Sequence, residues 1–316
     1  MNQVDRGGRA DTQYYLALCF IVLAVLFWGF SFISTKIVLD EIPPASIAFF
    51  RQIVSVAVLA AWVAVSLARG GWAQLHAATW RDLWLVAASG LCGIVLYFVC
   101  ENTGLRYTTA ANASMIVSAV PIFTLFTEAL FFKLKVTARM AACLAVSIAG
   151  VYLVITGGGR LDFSSAHFRG NLLMVAAMAC WVAYTIINKK LTDRYSSLLL
   201  TFSQTLASIF LFLPFILQEI GRWRMPSTAP LLHLLYLGVC CSALGYIFYV
   251  YAVKRLGATV SAAFLNLVPV VTVICGYFIL GERVSWPQLA GMALILASLY
   301  ALNMKTRSGL PRRQAV

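Results

Sequence analysis

Apolar residues in this chain come in long blocks, with neither the alternation of strands nor the one-sided stripe of surface helices. Ten blocks stand at roughly 15–35, 45–68, 83–104, 108–132, 138–156, 170–188, 198–218, 231–253, 259–280 and 287–304. About 20 mostly apolar residues cross a hydrocarbon layer. Hydrocarbon offers backbone amides no partner, so each block is predicted to be a helix. The pattern predicts an all-α integral membrane protein with ten transmembrane helices, short loops and no soluble domain. The first block is too long for the core of a secretion signal and is followed by no small-residue cleavage site, so it reads as a true span.

The blocks echo one another. "WGFSFISTK" (Trp28 to Lys36) precedes Asp40, and "WVAYTIINK" (Trp181 to Lys189) precedes Asp193, an offset of 153 that also pairs Phe49 with Phe202. From the third block on, an offset of 148 pairs Gly90 with Gly238, Cys92 with Cys240, Pro121 with Pro269, Thr124 with Thr272 and Tyr152 with Tyr300. The change of offset falls near a loop, where length costs little. The echoes imply two homologous five-helix halves, 15–156 and 170–304, joined by a loop at 157–169 and flanked by tails at 1–14 and 305–316. Five is odd, so the second half enters the membrane from the opposite side. Ten helices in two inverted five-helix repeats suit alternating access around a midplane site.

Charge fixes the orientation. Charged residues make up 11% of the 316 and hydrophobic ones 61%, against about 25% and 45–50% in soluble domains. The net charge of +13 does not point to nucleic acid: sixteen of the 24 Lys and Arg fall on the side of the two tails and seven on the other. Positive charge stays in the cytoplasm, so both tails are expected there and 157–169 in the periplasm, with anionic lipids as partners of the basic excess. All eight cysteines lie inside blocks, with no C-x-x-C pair and no Cys/His ligand spacing, and read as packing residues. The three histidines lie in loops or at a block edge. No metal or cofactor is expected.

Polar residues within blocks carry the candidate chemistry, because ionisable groups in hydrocarbon cost about 2.5–3.5 kcal/mol each. Glu128 ends a polar face with Ser114, Ser118 and Pro121. It reads as a site for a substrate amine or a proton, as an ion-pair partner of an arginine, or as a residue near the cytoplasmic headgroups. Tyr97 and Glu101 are four apart on one face, and Glu101 lines a cavity or is solvated at the end of its block. Arg51 anchors a substrate carboxylate or pairs structurally. Trp28 shares a face with Ser31 and Thr35, and Trp181 with Tyr184 and Asn188. Lys36 reads as an interfacial, snorkelling lysine. Pro121 and Pro269 each remove a helix hydrogen bond and are expected as hinges or packing kinks; Asn266 lies one turn before Pro269. Ser242 and Tyr246 share a face, with Tyr249 one turn on, an aromatic lining suited to apolar-sided substrates.

Ten spans in two halves, "W-x7-K" on the first and sixth, "FFRQ" (Phe49 to Gln52), "VSAVP" and "LNLVP", and "LGERVS" (Leu280 to Ser285) together resemble the EamA-type family of the drug/metabolite transporter superfamily. The resemblance covers nearly the whole chain. It implies a bacterial inner-membrane transporter, in a family with many exporters of amino acids and other small metabolites. In one place the chain departs from the family pattern: the first half has Lys133-Leu134-Lys135 where a small-Gly-Glu run is usual. No G-x-x-x-x-G-K-[ST] run occurs, so a gradient is the expected energy source, with protons one candidate coupling ion and uncoupled flux equally open. The resemblance leaves import of a vitamin or other metabolite, and export of drugs or a metallophore, as alternatives. An enzyme is not expected, because no histidine cluster or nucleophile–base set gathers at one membrane face.

Overall fold

The computed structural model describes the backbone of residues 3–68, 79–131, 136–159, 165–191, 194–256, 261 and 264–304, and side chains within these except 3–12, 66, 67, 128, 189, 197, 254, 303 and 304. Among the described residues every regular element is helical. Helices α1 (Gln3–Val38) and α2 (Pro44–Ala68) come first. Then α3 (Trp80–Gly90) runs through a π-helical stretch, Leu91–Leu96, into α4 (Tyr97–Tyr107). Helices α5 (Ala110–Val117) and α6 (Val120–Phe131) are parted by a turn at Ser118 and Ala119. They are followed by α7 (Ala138–Thr156) and α8 (Ala166–Lys189). Helices α9 (Ser197–Leu211) and α10 (Leu213–Glu219) meet at a 45° bend beside Pro214. Then α11 (Thr228–Tyr236) passes through a second π-helical stretch, Leu237–Leu244, into α12 (Gly245–Leu256). Helices α13 (Val268–Leu280) and α14 (Trp286–Met304) close the chain.

Seven helical runs are long and apolar enough to cross a membrane, eight if the bent α9–α10 pair is one span; α13 and the apolar part of α14 are shorter. Where the hydropathy pattern predicts ten spans, eight full-length candidates and two shorter apolar helices stand. Large apolar side chains such as Phe131, Leu217 and Phe278 are mostly exposed, a surface suited to lipid rather than water. The chain is thus a multi-pass membrane protein. Helix ends obey ordinary capping chemistry: Thr79, Thr109, Thr137, Ser165 and Ser196 each accept from the amide three residues on. Gly157 and Gly281 end α7 and α13 at φ +60° and +65°.

Sequence neighbours are not the main packing partners. Helix α1 packs on α11, α12 and α13 from far along the chain, while α8 packs on α3, α4, α5 and α6. Helix α2 lies against α9 and the second π stretch, and α7 pairs with α14. Without water to expel, helices in lipid associate through close contact, which small residues permit. At Gly150 an added Cβ would come within 2.7 Å of the Gly291 carbonyl oxygen, and at Gly291 within 2.6 Å of that of Gly150, so α7 and α14 touch backbone to backbone. At Gly29 a Cβ would come within 2.6 Å of Val271, which brings α1 onto α13. There Thr272 Oγ1 donates to Gly29 O at 2.8 Å. The main core gathers Ile33, Ile47, Leu105, Met115, Ile116 and Ile295.

Candidate functional site

Helix α2 brings Arg51, Gln52 and Ser55 into the middle of the bundle, against the second π stretch. Arg51 is 5% exposed; its Nε donates to Ser242 Oγ at 3.0 Å, and its guanidinium carbon lies 4.2 Å from the Phe98 ring centroid. Ser55 Oγ donates to Ser242 O at 3.1 Å, and Trp28 Nε1 donates to Cys241 O at 3.0 Å. Two successive carbonyls of the π stretch therefore take side-chain donors. The wider turn loosens the regular ladder and leaves its carbonyls open to such partners.

Glu101 on α4 is 7% exposed and accepts from Tyr97 Oη at 3.0 Å across one helical turn. Arg51 lies close enough for its charge to act on Glu101, Tyr97 and Tyr246. The two do not form an ion pair: among the described residues the ion pairs are Lys36–Glu282 and Arg194–Asp82. Aromatic rings wall the region on two sides. Trp28 lies 5.6 Å from Tyr246 and 5.7 Å from Tyr249 by ring centroids. Trp181 lies 5.1 Å from both Tyr97 and Tyr184. A cavity of about 20 Å³ lies between Gln52, Phe98, Tyr184, Gln204, Ser242 and Tyr246. One water needs roughly 10–15 Å³ on this scale, so the cavity is nearly closed.

Of the candidates read from the sequence, Trp28, Arg51, Tyr97, Glu101, Trp181 and Tyr246 thus come together. Ser118 does not line the cavity; it forms the turn between α5 and α6, with its hydroxyl on Met115 O at 2.6 Å. Asn266 occupies the matching turn before α13, half-buried and also outside the cavity lining. Pro121 and Pro269 stand just after these two turns, at the start of new helical segments, Pro121 exposed and Pro269 buried. The Glu128 backbone lies in α6, and its side chain is outside the described residues. Lys36 does not snorkel: its Nζ meets Glu282 Oε1 at 3.1 Å and Thr108 O at 2.8 Å.

Three polar residues escaped the sequence reading. Gln52 is 3% exposed, lines the cavity and makes no side-chain hydrogen bond among the described residues. Gln204 donates to Asn188 Oδ1 at 2.6 Å and to Ser89 Oγ at 2.9 Å. It stands 153 positions after Arg51, so the repeat offset itself was the signal that could have found it. Glu282 sits inside the "LGERVS" motif, but nothing local announces its partners.

Comparison with known proteins agrees with this geometry. The profile of the EamA-like transporter family matches residues 15–156 and 168–304. An uncharacterized transporter of Archaeoglobus fulgidus is 30% identical over 289 residues, 90% of this chain and 96% of its own. A probable terminal-alkyne amino-acid exporter of Streptantibioticus cattleyicolor is 28% identical over 286 residues, 90% of this chain and 93% of its own. A probable amino-acid metabolite efflux pump of Salmonella typhimurium is 26% identical over 289 residues, 88% of this chain and 92% of its own. With buried charges walled by aromatic rings inside an apolar helical bundle, and with matches along nearly its full length, the chain belongs to the EamA-like transporter family.

Proposed function

We propose that the protein is a secondary transporter that exports amino acids or related zwitterionic metabolites across the cytoplasmic membrane by alternating access. The observation that carries this reading is Arg51 and Glu101: a basic and an acidic side chain, both nearly fully buried in one aromatic-walled region and not joined in an ion pair. An unpaired charge inside a bundle is costly and marks function by default. A zwitterion suits both at once. Its carboxylate meets the Nη edge of Arg51, whose Nε is already held by Ser242 and whose guanidinium carbon lies over the Phe98 ring. Its ammonium meets Glu101, and an apolar side chain lies between the two tryptophan walls. Gln52 adds an amide to the same space. The relatives named as exporters support the direction.

The wider reading is ten spans in two inverted halves, both tails cytoplasmic, driven by a gradient rather than ATP. Protons are a candidate coupling ion, through Glu101 or Glu128. Its support is internal. The two π stretches, Leu91–Leu96 and Leu237–Leu244, end 148 positions apart, and so do the turns at Ser118 and Asn266. A nearly closed cavity fits an occluded conformation that must widen toward either face to admit a substrate.

Purified protein in liposomes, offered a panel of labelled amino acids under an imposed gradient, tests this. At least one zwitterion should move. Arg51→Ala and Glu101→Gln should each lower that flux by at least about tenfold, as expected for removing a charge-assisted contact to the bound zwitterion. Flux of no zwitterion, or flux indifferent to both substitutions, would remove the basis of the proposal. If Glu128→Gln stops transport and Glu101→Gln does not, the ammonium site belongs to Glu128.

A further inference from the structure

Glu282 joins three helices at one end of the bundle. Its Oε1 accepts from Lys36 Nζ at 3.1 Å and from the Ala110 amide at 2.8 Å; its Oε2 accepts from the Ala111 amide at 3.0 Å. Lys36 ends α1, Ala110 and Ala111 open α5, and Glu282 comes just after α13. The carboxylate is 7% exposed. With Thr109 accepting from the Asn112 amide at 3.1 Å, the first three amides of α5 are all satisfied, and a negative group sits at the positive end of that helix. The placement is written locally. Gly281 turns the chain at φ +65°, and the Glu282 amide bonds back to Gly276 O at 3.0 Å. Gly276 then leaves room for the carboxylate, since a Cβ there would lie 3.1 Å from Oε2.

The opposite end of the bundle is written differently. The repeat partner of Lys36 is Lys189, but 148 positions before Glu282 stands Leu134, between Lys133 and Lys135; the position matching Gly276 is Glu128. Two more carboxylates tie the Lys36 end. Glu41 accepts from the Ser227 amide and hydroxyl, both at 2.6 Å, and Glu219 accepts from the Ala45 and Ser46 amides at 3.1 and 2.8 Å. At the other end, among the described residues, Asp82 alone does such work, with Arg194 and Tyr195.

We infer that the Lys36–Glu282–α5 junction is a latch that holds the Lys36 end of the pathway shut, and that it is not copied by the repeat, since Leu134 stands at the position matching Glu282. This rests on the alternating-access reading. Opening toward the Lys36 end separates α13 from α5 and α1, and the Glu282 carboxylate must leave two amides and an ammonium together. Because the helix amides hold most of the carboxylate's bonds, Glu282 matters more than Lys36, and exchanging the two charges does not restore the latch: a lysine at 282 cannot accept from α5.

The test reads accessibility, not flux. Ser114 lies one turn into α5, 2% exposed. In the full chain carrying Ser114→Cys, modification at residue 114 by a membrane-impermeant maleimide is followed by peptide mass, from each side of the membrane. Glu282→Gln should speed labelling from the Lys36 side about tenfold, in line with loss of hydrogen bonds to a charged group. Lys36→Met should speed it less, and the Lys36→Glu, Glu282→Lys exchange should stay as fast as Glu282→Gln. Equal labelling in Glu282→Gln and the parent would overturn the latch, and rescue by the exchange would reduce it to a simple ion pair. If Glu282→Gln fails to fold, Lys36→Met decides: unchanged labelling there overturns the proposal. Liposome flux in the parent chain is scored separately, so a failed latch and a failed transporter reading give different results.

Discussion

Helices α1 and α8 carry the same motif, a tryptophan followed eight residues later by a lysine, and their neighbours hold them differently. On α1 the residue after Trp28 is Gly29, and α13 comes so close that Thr272 bonds the Gly29 carbonyl. On α8 the residue after Trp181 is Val182, and the hydroxyl of Thr124, the counterpart of Thr272, is buried with no hydrogen-bond partner among the described residues. Trp28 is tied by its indole to Cys241 O; the Trp181 indole makes no hydrogen bond among the described residues. One side-chain difference beside a shared motif thus separates a tight helix contact from a looser one. Repeats fix where helices go, and single small residues fix how firmly they stay.

The comparison can be broken most forcefully at Gly29. Gly29→Val copies the α8 arrangement into α1 and pushes against Val271. Overpacking of this kind costs about 1–3 kcal/mol, so the thermal midpoint in detergent should fall and flux with it; an unchanged midpoint would mean that α13 yields freely. A finer contrast sets Thr272→Val against Thr124→Val. The first loses hydrogen bonds to Gly29 O and Val268 O, worth about 1 kcal/mol. The second removes a hydroxyl that bonds none of the described residues, so it should be neutral or stabilising. Equal losses in the two would sink the comparison.

The smallest expected effect concerns Glu41, in the loop between α1 and α2. The hydroxyl of Ser227, and then its amide, hold the Glu41 carboxyl below its ordinary value. A folded pKa below the unfolded one gives stability that is present above the unfolded pKa and lost as pH falls through the folded one. Glu41 is exposed, so the contribution is slight. The parent should melt slightly above Glu41→Gln at neutral pH, and that small gap should close as pH falls below the ordinary carboxylate range.

Much of the architecture was legible in hydropathy alone, because hydrocarbon enforces helices and their length. The buried charges Arg51 and Glu101 were legible for the same reason: a charge inside an apolar block stands out. The turns at Ser118 and Asn266 were marked by the prolines three residues on, but not that both residues would sit outside the cavity lining, since a turn rotates whatever precedes it. Lys36 was misread as snorkelling because its partner lies 246 residues away, and only the tertiary fold brings an end of α1 to an end of α13. Gln52 and Gln204 were passed over because neutral amides carry no charge signal. The doubled Gly and Cys at or beside the π stretches marked a shared place without revealing its wider winding.

Those π stretches bear on how the protein tolerates changes in length. Each sets the helical phase of the helix after it, α4 with Tyr97 and Glu101 in one case and α12 with Tyr246 and Tyr249 in the other. Consecutive residues on an α-helix point about 100° apart. The wide turn takes up an extra residue, so deleting one between 91 and 96 lets the stretch rewind as an ordinary α-helix with the phase of α4 kept, whereas one residue fewer in the regular turns between Tyr97 and Glu101 swings Glu101 away from Arg51, although every apolar residue still suits the bilayer. Spacing, and not only residue identity, is therefore inherited information here: a relative could keep Tyr97 and Glu101 letter for letter and still aim them into lipid.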